Sequence, residues 1–266
     1  MIPLKDNIPS RTTPFVNYTL IGICAIVFLA QLKESGSKDG GLVERYGMIP
    51  ARVWHPDADV RVVTIAPVRG HLQMIERPAE RPSFSPWLTL VTCIFLHGGW
   101  MHFLGNMWFL IIFGDNVEDR IGHVGYLLFY LFCGVAASVS HLLVNASSEV
   151  PTIGASGAIA GVMGAYFLLY PRANVLSVVP LFFFLEIVVL PAPIFLGVWF
   201  VIQFFQGAAS ITTTQSGGVA WWAHIGGFAV GYLIAALLRA VGETSPPVEQ
   251  MRPRTERVNL YRYSRY

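Results

Sequence analysis

Long apolar runs alternate with short polar breaks along the chain, and several of the runs have the length of membrane-crossing helices. A helix needs about 20 mainly apolar residues to cross ~30 Å of hydrocarbon. The first run follows Arg11 and predicts span 1 over about Phe15–Leu32. Its uncharged stretch, 12–32, exceeds the ~7–15 residues usual for the apolar part of a signal peptide, so it reads as a retained span. Residues 33–82 carry fifteen charges of mixed sign and read as a soluble stretch. From Ser83 to Gly114 there is no Asp, Glu, Lys or Arg, but Pro86, Gly98 and Gly99 interrupt the run. That pattern predicts a membrane-surface or re-entrant segment, "PWLTLVTCIFL", followed by span 2 from about Trp100, which ends in the polar cluster "GDNVEDRIGH" at 114–123. Span 3 is expected at about Val124–Asn145, span 4 within Val150–Tyr170, span 5 at about Ile194–Ser210 and span 6 at about Ala220–Leu238. Residues 175–190 are apolar but contain Pro180 and Glu186, and read as interfacial.

Composition agrees with a membrane protein. Charged residues make up 13% of the chain, against roughly 25% in soluble globular domains. A net charge of +2 is too small to suggest nucleic-acid binding. Cys24, Cys93 and Cys133 are scattered through apolar runs, which fits neither a disulfide framework nor a zinc site. No metal or cofactor is expected. Lys5, Arg11, Arg120, Arg172, Arg239 and the tail arginines would share one side of the membrane, while loops 145–152 and 211–219 contain no Lys or Arg. The positive-inside rule then makes both termini cytoplasmic. The expected organisation is a cytoplasmic segment 1–11, a six-helix core 12–241 with a long extracytoplasmic loop 1 at 33–99, and a basic, disordered cytoplasmic tail 242–266. No internal repeat is visible.

The polar residues inside the spans converge. Even-numbered spans run from the outer to the inner face. Span 2 starts with His97, His102 and Asn106, span 4 with Ser156, and span 6 with His224. Ionisable groups at membrane depth are functional candidates when they face protein or water. From Ser156 to Tyr170 is ~22 Å of helix at ~1.5 Å per residue, shorter than the ~30 Å hydrocarbon core. Ser156 is therefore expected below the outer surface, at a helix N-terminus whose free N–H groups and dipole favour negative charge. Gly157, Gly161 and Gly164 form a stripe on span 4, and Gly227 and Gly231 share a face with His224. Small residues at that spacing let helix backbones touch. If the stripes meet, His224 comes near Ser156, and a histidine is the usual base for a weak serine nucleophile. His102 and Asn106, four apart on one helix face, can both donate to an oxyanion. Taken singly, a membrane serine more often bonds its own backbone and a glycine stripe more often serves packing. The joint pattern is far more specific. Asp115, Glu118, Asp119 and Arg120 read as a structural cap and ion-pair cluster.

Three stretches, "HGGWMHFLGN" (97–106), "GASGAIAG" (154–161) and "AHIGGFAVG" (223–231), resemble the motifs of the rhomboid intramembrane serine proteases, in the same order and on the corresponding spans. The resemblance covers about residues 12–240. It implies an all-α polytopic membrane protein with a six-helix rhomboid-like bundle. It further implies Ser156 as nucleophile, His224 as general base and acid, and His102, Asn106 and the Ser156 N–H as oxyanion donors. His97 and the glycines 157, 161, 227 and 231 would be structural support. The implied substrates are transmembrane proteins cleaved in or beside their membrane segments, in a bacterial cytoplasmic membrane, with the site opening outward. Some members carry a tyrosine four residues after the serine, stacked on the histidine. Here that position is Ala160, which leaves Trp221 or Trp222 as candidate supports for the His224 ring. Loop 5, "ITTTQSGG", reads as a mobile lid. The alternatives are an inactive rhomboid-like binding protein and a transporter. The presence of both Ser156 and His224 disfavours the first, and the lack of repeat symmetry the second. The oligomeric state is not encoded in any visible pattern.

Overall fold

The computed structural model describes residues 1–34, 41–68, 71–181, 184–212, 220–242 and 244. Strand β1 (Ile2–Asp6) precedes helix α1 (Phe15–Glu34). The long loop that follows holds α2 (Gly41–Tyr46), α3 (Pro50–Trp54) and an antiparallel hairpin of β2 (Arg61–Val68) and β3 (His71–Pro78). A short α4 (Thr89–Thr92) lies between two 3₁₀ turns, Pro86–Leu88 and Cys93–Phe95. Then come α5 (Trp100–Ile121), α6 (His123–Val144) and α7 (Ser156–Leu169), a second hairpin of β4 (Asn174–Leu181) and β5 (Phe184–Pro191), and finally α8 (Ala192–Thr212) and α9 (Trp221–Ala240).

The protein is an integral membrane protein. Among the described residues four helices are long and apolar enough to cross a membrane: α1, α6, α8 and α9. The segment Pro86–Phe95 and α5 together form a further candidate, bent by 78° at the break the sequence marks with glycines, where Gly99 has φ +143°. Helix α7 is shorter, at 14 residues, and eleven of them are buried. It is the central post of the bundle, whereas α1, α6 and α8 turn residues such as Ile26, Phe132 and Phe205 outward.

Contacts between distant segments fix which helix ends lie together. Strand β1 pairs antiparallel with β4, so the N-terminus and the segment after α7 share one end of the bundle. A bridge between Met48 and Thr152 brings the loop after α1 to the start of α7, at the other end. The helices therefore run alternately up and down between the two ends. At the β1 end, Glu118 of α5 accepts the N–H groups of Val16 (3.0 Å) and Asn17 (2.8 Å) and so caps the first turn of α1. Asn17 is fully buried, donates to the Leu110 carbonyl (3.0 Å) and accepts from the Tyr126 hydroxyl (2.8 Å). Asp119 accepts from the backbone N–H groups and side chains of Arg11 and Thr12. The acidic cluster is thus a cap and ion-pair device.

Two small sheets add to the helical architecture expected from the sequence. In the three-stranded sheet β1–β4–β5, Ile2, Leu176, Leu185, Ile187 and Val189 are exposed, and Val175 and Ser177 are buried. The basic tail beyond residue 244 and the expected lid, which falls mainly on 213–219, lie outside the described residues.

The tightest contact in the core joins α7 and α9. A Cβ on Gly227 would overlap the Gly157 carbonyl, one on Gly231 the Gly161 carbonyl, and one on Gly164 the Phe228 carbonyl. The other side of α7 meets α6, where a Cβ on Gly161 would come within 2.5 Å of the Cys133 Cβ. Between α7 and α9 backbone therefore lies on backbone, with no flexible side chain to give way.

Two predictions follow from these contacts. Gly161→Leu or Gly227→Leu should lower the melting temperature sharply. Overpacking costs about 1–3 kcal/mol or more, and the obstacle is the Gly157 carbonyl for Gly227 and the Cys133 side chain of α6 for Gly161. Leu168→Ala, at a half-buried site, should be milder, and equal melting temperatures for all three variants would contradict the contact. The second concerns Asp6 in β1, which accepts from Tyr166 (2.5 Å) and Asn116 (2.9 Å). Burial pushes its carboxyl up to about 7; the Tyr166 bond opposes the shift and nearby Asp115 adds to it. A folded-state pKa above the unfolded value of about 3.9 means that the stabilising, protonated form is fully present at low pH and lost as pH rises through 7. Thermal stability should decline between about pH 4 and 7, and Asp6→Asn should flatten that decline.

Candidate active site

The site forms at the end of the bundle opposite β1. Residues 151–155 approach α7 in non-helical conformation and are held from loop 1: Thr152 exchanges backbone bonds with Met48, and the Gly154 N–H donates to the Cys93 carbonyl at 2.9 Å. Gly154 has φ +128°, which L side chains rarely adopt. It also lies against His102: a Cβ there would be 2.7 Å from Nε2 of His102 and 3.6 Å from Oγ of Ser156. Helix α7 then starts at Ser156, and the Ile159 N–H is bonded to the Ala155 carbonyl at 2.9 Å. The N–H groups of Ser156, Gly157 and Ala158 have no intrahelical acceptor and stand at the positive end of the helix dipole.

His224 sits in the first turn of α9, where the glycine contact brings it over Ser156. Its Nε2 lies 2.8 Å from the Ser156 Oγ. Its Nδ1 lies 2.6 Å from Oε1 of Gln203 in α8, a side chain only 6% exposed. Trp199, one turn earlier on α8, tilts its ring at 37° to the imidazole at 5.8 Å between centroids. Trp221 meets the same ring edge-on at 6.2 Å. Of the two tryptophans singled out in the sequence, Trp221 thus touches His224; Trp222 instead packs near Gly207.

His102 and Asn106 occupy one face of α5 near its start. The Gly98 N–H donates to Nδ1 of His102 at 3.2 Å. That bond makes Nδ1 the acceptor and leaves the proton on Nε2, the nitrogen nearest Gly154 and Ser156. Asn106 is buried, and its Nδ2 has no acceptor among the described residues. A buried unpaired N–H donor is costly in a resting protein and useful where negative charge will develop. His97 is 2% exposed, with its ring against His102, Phe28 and Phe103. Its backbone exchanges two bonds with the Gln31 side chain of α1, each 3.0 Å. His97 thus ties the α4–α5 break to α1 and backs the His102 ring.

Chemically this is a weak nucleophile in contact with a base, beside a helix N-terminus and donors with spare N–H groups. Two residues escaped the sequence reading. Gln203 is a lone amide in the apolar run of span 5, and a polar side chain within a span was the available signal. His141, near the end of α6, lies close enough to His224 to interact with it electrostatically and falls outside the three motifs.

A family model described as "Rhomboid domain" matches residues 85–241. The chain is 32% identical over 161 residues to rhomboid-like protein 11, chloroplastic, of Arabidopsis thaliana, covering 59% of this chain and 54% of that protein. It is 32% identical over 83 residues to YdcA of Bacillus subtilis (strain 168), provisionally named a rhomboid protease, covering 31% of this chain and 41% of that one. Rhomboid protein 1, mitochondrial, of Saccharomyces cerevisiae is 28% identical over 156 residues, covering 55% and 40%. The alignments span about half the length of these relatives or less.

The Ser156–His224 contact makes a direct chemical prediction. A fluorophosphonate should modify Ser156, found by mass spectrometry of the labelled peptide. His224→Ala should suppress the rate strongly, because a histidine in hydrogen-bond contact with a serine is placed to take its proton. Labelling of the variant at the wild-type rate would remove His224 as the base.

Proposed function

Because the chain belongs to the rhomboid family, we propose that it is an intramembrane serine endopeptidase working through a Ser156–His224 dyad. The observation that carries this reading is the 2.8 Å contact between Ser156 Oγ and His224 Nε2 at the start of a buried helix. Ser156 Oγ attacks the scissile carbonyl carbon while its proton passes to Nε2 of His224. The carbonyl oxygen becomes an oxyanion and takes hydrogen bonds from the Ser156 N–H, His102 Nε2–H and Asn106 Nδ2–H. Collapse of this intermediate breaks the C–N bond, and His224 returns the proton to the leaving amine. A water then attacks the acyl-enzyme and gives a proton to His224; the acyl C–O bond breaks, Ser156 Oγ takes that proton back, and the second product leaves as a carboxylic acid. Rigid donors aimed at an atom that gains charge only during reaction stabilise the transition state more than the substrate.

The substrates in this reading are membrane proteins cut in or next to a transmembrane segment. Six helices cross the bilayer, both termini lie in the cytoplasm, and the site opens toward the outer face of a bacterial cytoplasmic membrane. The arginine distribution supports the orientation: Arg11, Arg120, Arg172 and Arg239 share the end of the bundle away from the site. An inactive binding protein of the same family would have no use for a serine held on an imidazole, and no observation favours a transporter.

Ser156→Ala should abolish cleavage of a single-span substrate while leaving the melting temperature within a degree or two, since one hydroxyl is lost at a half-buried position. Undiminished cleavage would end the serine-protease reading. Asn106→Ala should lower kcat more than it raises KM. Loss of one oxyanion donor costs ~2.7–4 kcal/mol in a serine protease, or ~10²–10³ in rate, and the two remaining donors put the expectation at the low end. Steady-state kinetics in liposomes decide it: normal kcat with only a raised KM would move Asn106 to substrate binding or helix packing.

A further inference from the structure

The dyad leaves one question of chemistry open. Neutral imidazole carries its proton on either nitrogen, and only the form with a bare Nε2 can accept the serine proton. In triad enzymes a carboxylate on Nδ1 settles the tautomer. Here α9 has no Asp or Glu, and the family's stacking tyrosine is replaced by Ala160. What the structure offers instead is α8. Gln203 presents Oε1 to Nδ1 of His224 at 2.6 Å, and Trp199, one turn away on the same helix, covers the ring.

We propose that Gln203 is the positioning residue of this active site: its amide oxygen accepts the Nδ1–H of His224, holds the imidazole in the one tautomer that can act on Ser156, and supports the imidazolium when the proton arrives. The inference rests on the serine-protease reading and adds a third member to its dyad. Three features favour this role over simple packing. Gln203 is almost fully buried, so its oxygen cannot turn to bulk water without cost. The bond lies on the far side of the ring from the serine, as an orienting acceptor must. An amide also suits the setting better than a carboxylate: it accepts the same bond without an ionised group in a site walled by Trp199 and Phe228. The bond becomes charge-assisted once His224 is protonated, so it tightens along the reaction path.

Roles for Gln203 beyond packing are separated by three variants in the full-length protein. Gln203→Leu removes the acceptor, Gln203→Met keeps length and flexibility without an oxygen, and Gln203→Glu restores an acceptor that is charged when ionised. Melting temperatures identify any variant that fails to fold, and the other two then carry the comparison. Leu and Met should lower the fluorophosphonate labelling rate of Ser156, and kcat on a single-span substrate, by roughly 10–100-fold with little change in KM. Glu should recover most of that loss and move the acid limb of the pH–rate profile upward, because a carboxylate stabilises the imidazolium. The tautomer is read without any turnover from the ¹⁵N resonances of His224 in ¹⁵N-histidine-labelled protein, assigned by their loss in His224→Ala. Wild type should show a protonated Nδ1 and a bare Nε2, and the Leu variant a mixture. A protonated Nε2 in the wild type, or a folded Leu variant with wild-type labelling rate and pH profile, overturns the assignment. A wild-type protein that neither labels nor cleaves would count against the protease reading alone, since the resonances still report on the Gln203 bond.

Discussion

The fold is organised around a place where two helices touch through their main chains. Between α7 and α9 the carbonyls of Gly157, Gly161 and Phe228 occupy the positions that side chains would fill on Gly227, Gly231 and Gly164. In lipid there is no hydrophobic drive to press helices together, so close packing of this kind supplies the association. It also sets the geometry. Because neither helix can slide past the other's carbonyls, the vertical offset between Ser156 and His224 is fixed from below. The two side chains meet without any loop having to deliver one to the other.

Around that pair the molecule has two ends of different character. At the β1 end most charged groups are paired: Glu118 caps α1, Asp119 gathers Arg11 and Thr12, and Arg120 reaches the Leu169 carbonyl and the face of Tyr170, while Asn116 Oδ1 and Arg120 Nε have no partner among the described residues. At the other end Asn106 Nδ2 and both ring nitrogens of His97 have no hydrogen-bond partner among the described residues. Satisfied networks rigidify a structure, while unsatisfied buried donors raise its energy.

Much of this was legible in the sequence, for physical reasons that can be named. The long apolar runs are bounded by Gly, Pro or charge, and the helices begin and end within a few residues of where those boundaries fall. The convergence of His102, Ser156 and His224 followed from counting helix directions, since α5, α7 and α9 all start at the same end. The strands were not legible. In β4 and β5 nearly every position is apolar whichever way it faces, and the one polar residue of the inner β4 positions, Ser177, is buried while Leu176 is exposed, so the alternation that marks a half-buried strand is absent. Strand β1, the partner of β4, is five residues long and distant in sequence. Strand β2 is rich in β-branched residues, but its partner β3 has one and both carry charges, so the pair lacks a clear strand pattern. Gln203 was missed for another reason: a lone amide in an apolar run shows that something polar is nearby, and only the packing of α8 on α9 says that it is His224.

Strand β1 has a consequence for the order in which the protein assembles. It leaves the ribosome well before β4, with which it pairs and which begins at Asn174. At ~5–20 residues per second, on the order of ten to thirty seconds separate the two. During that interval Asp6 and Ser10 have neither sheet nor acidic cluster to bind, and α1 enters the bilayer with its first turn uncapped until Glu118 arrives. The sheet can close only after α7 has been inserted and its end has returned to the side on which β1 waits. Pairing of β1 with β4 is thus a late event that depends on every helix between them being in place: until α7 ends at the β1 end of the bundle, the latch cannot form.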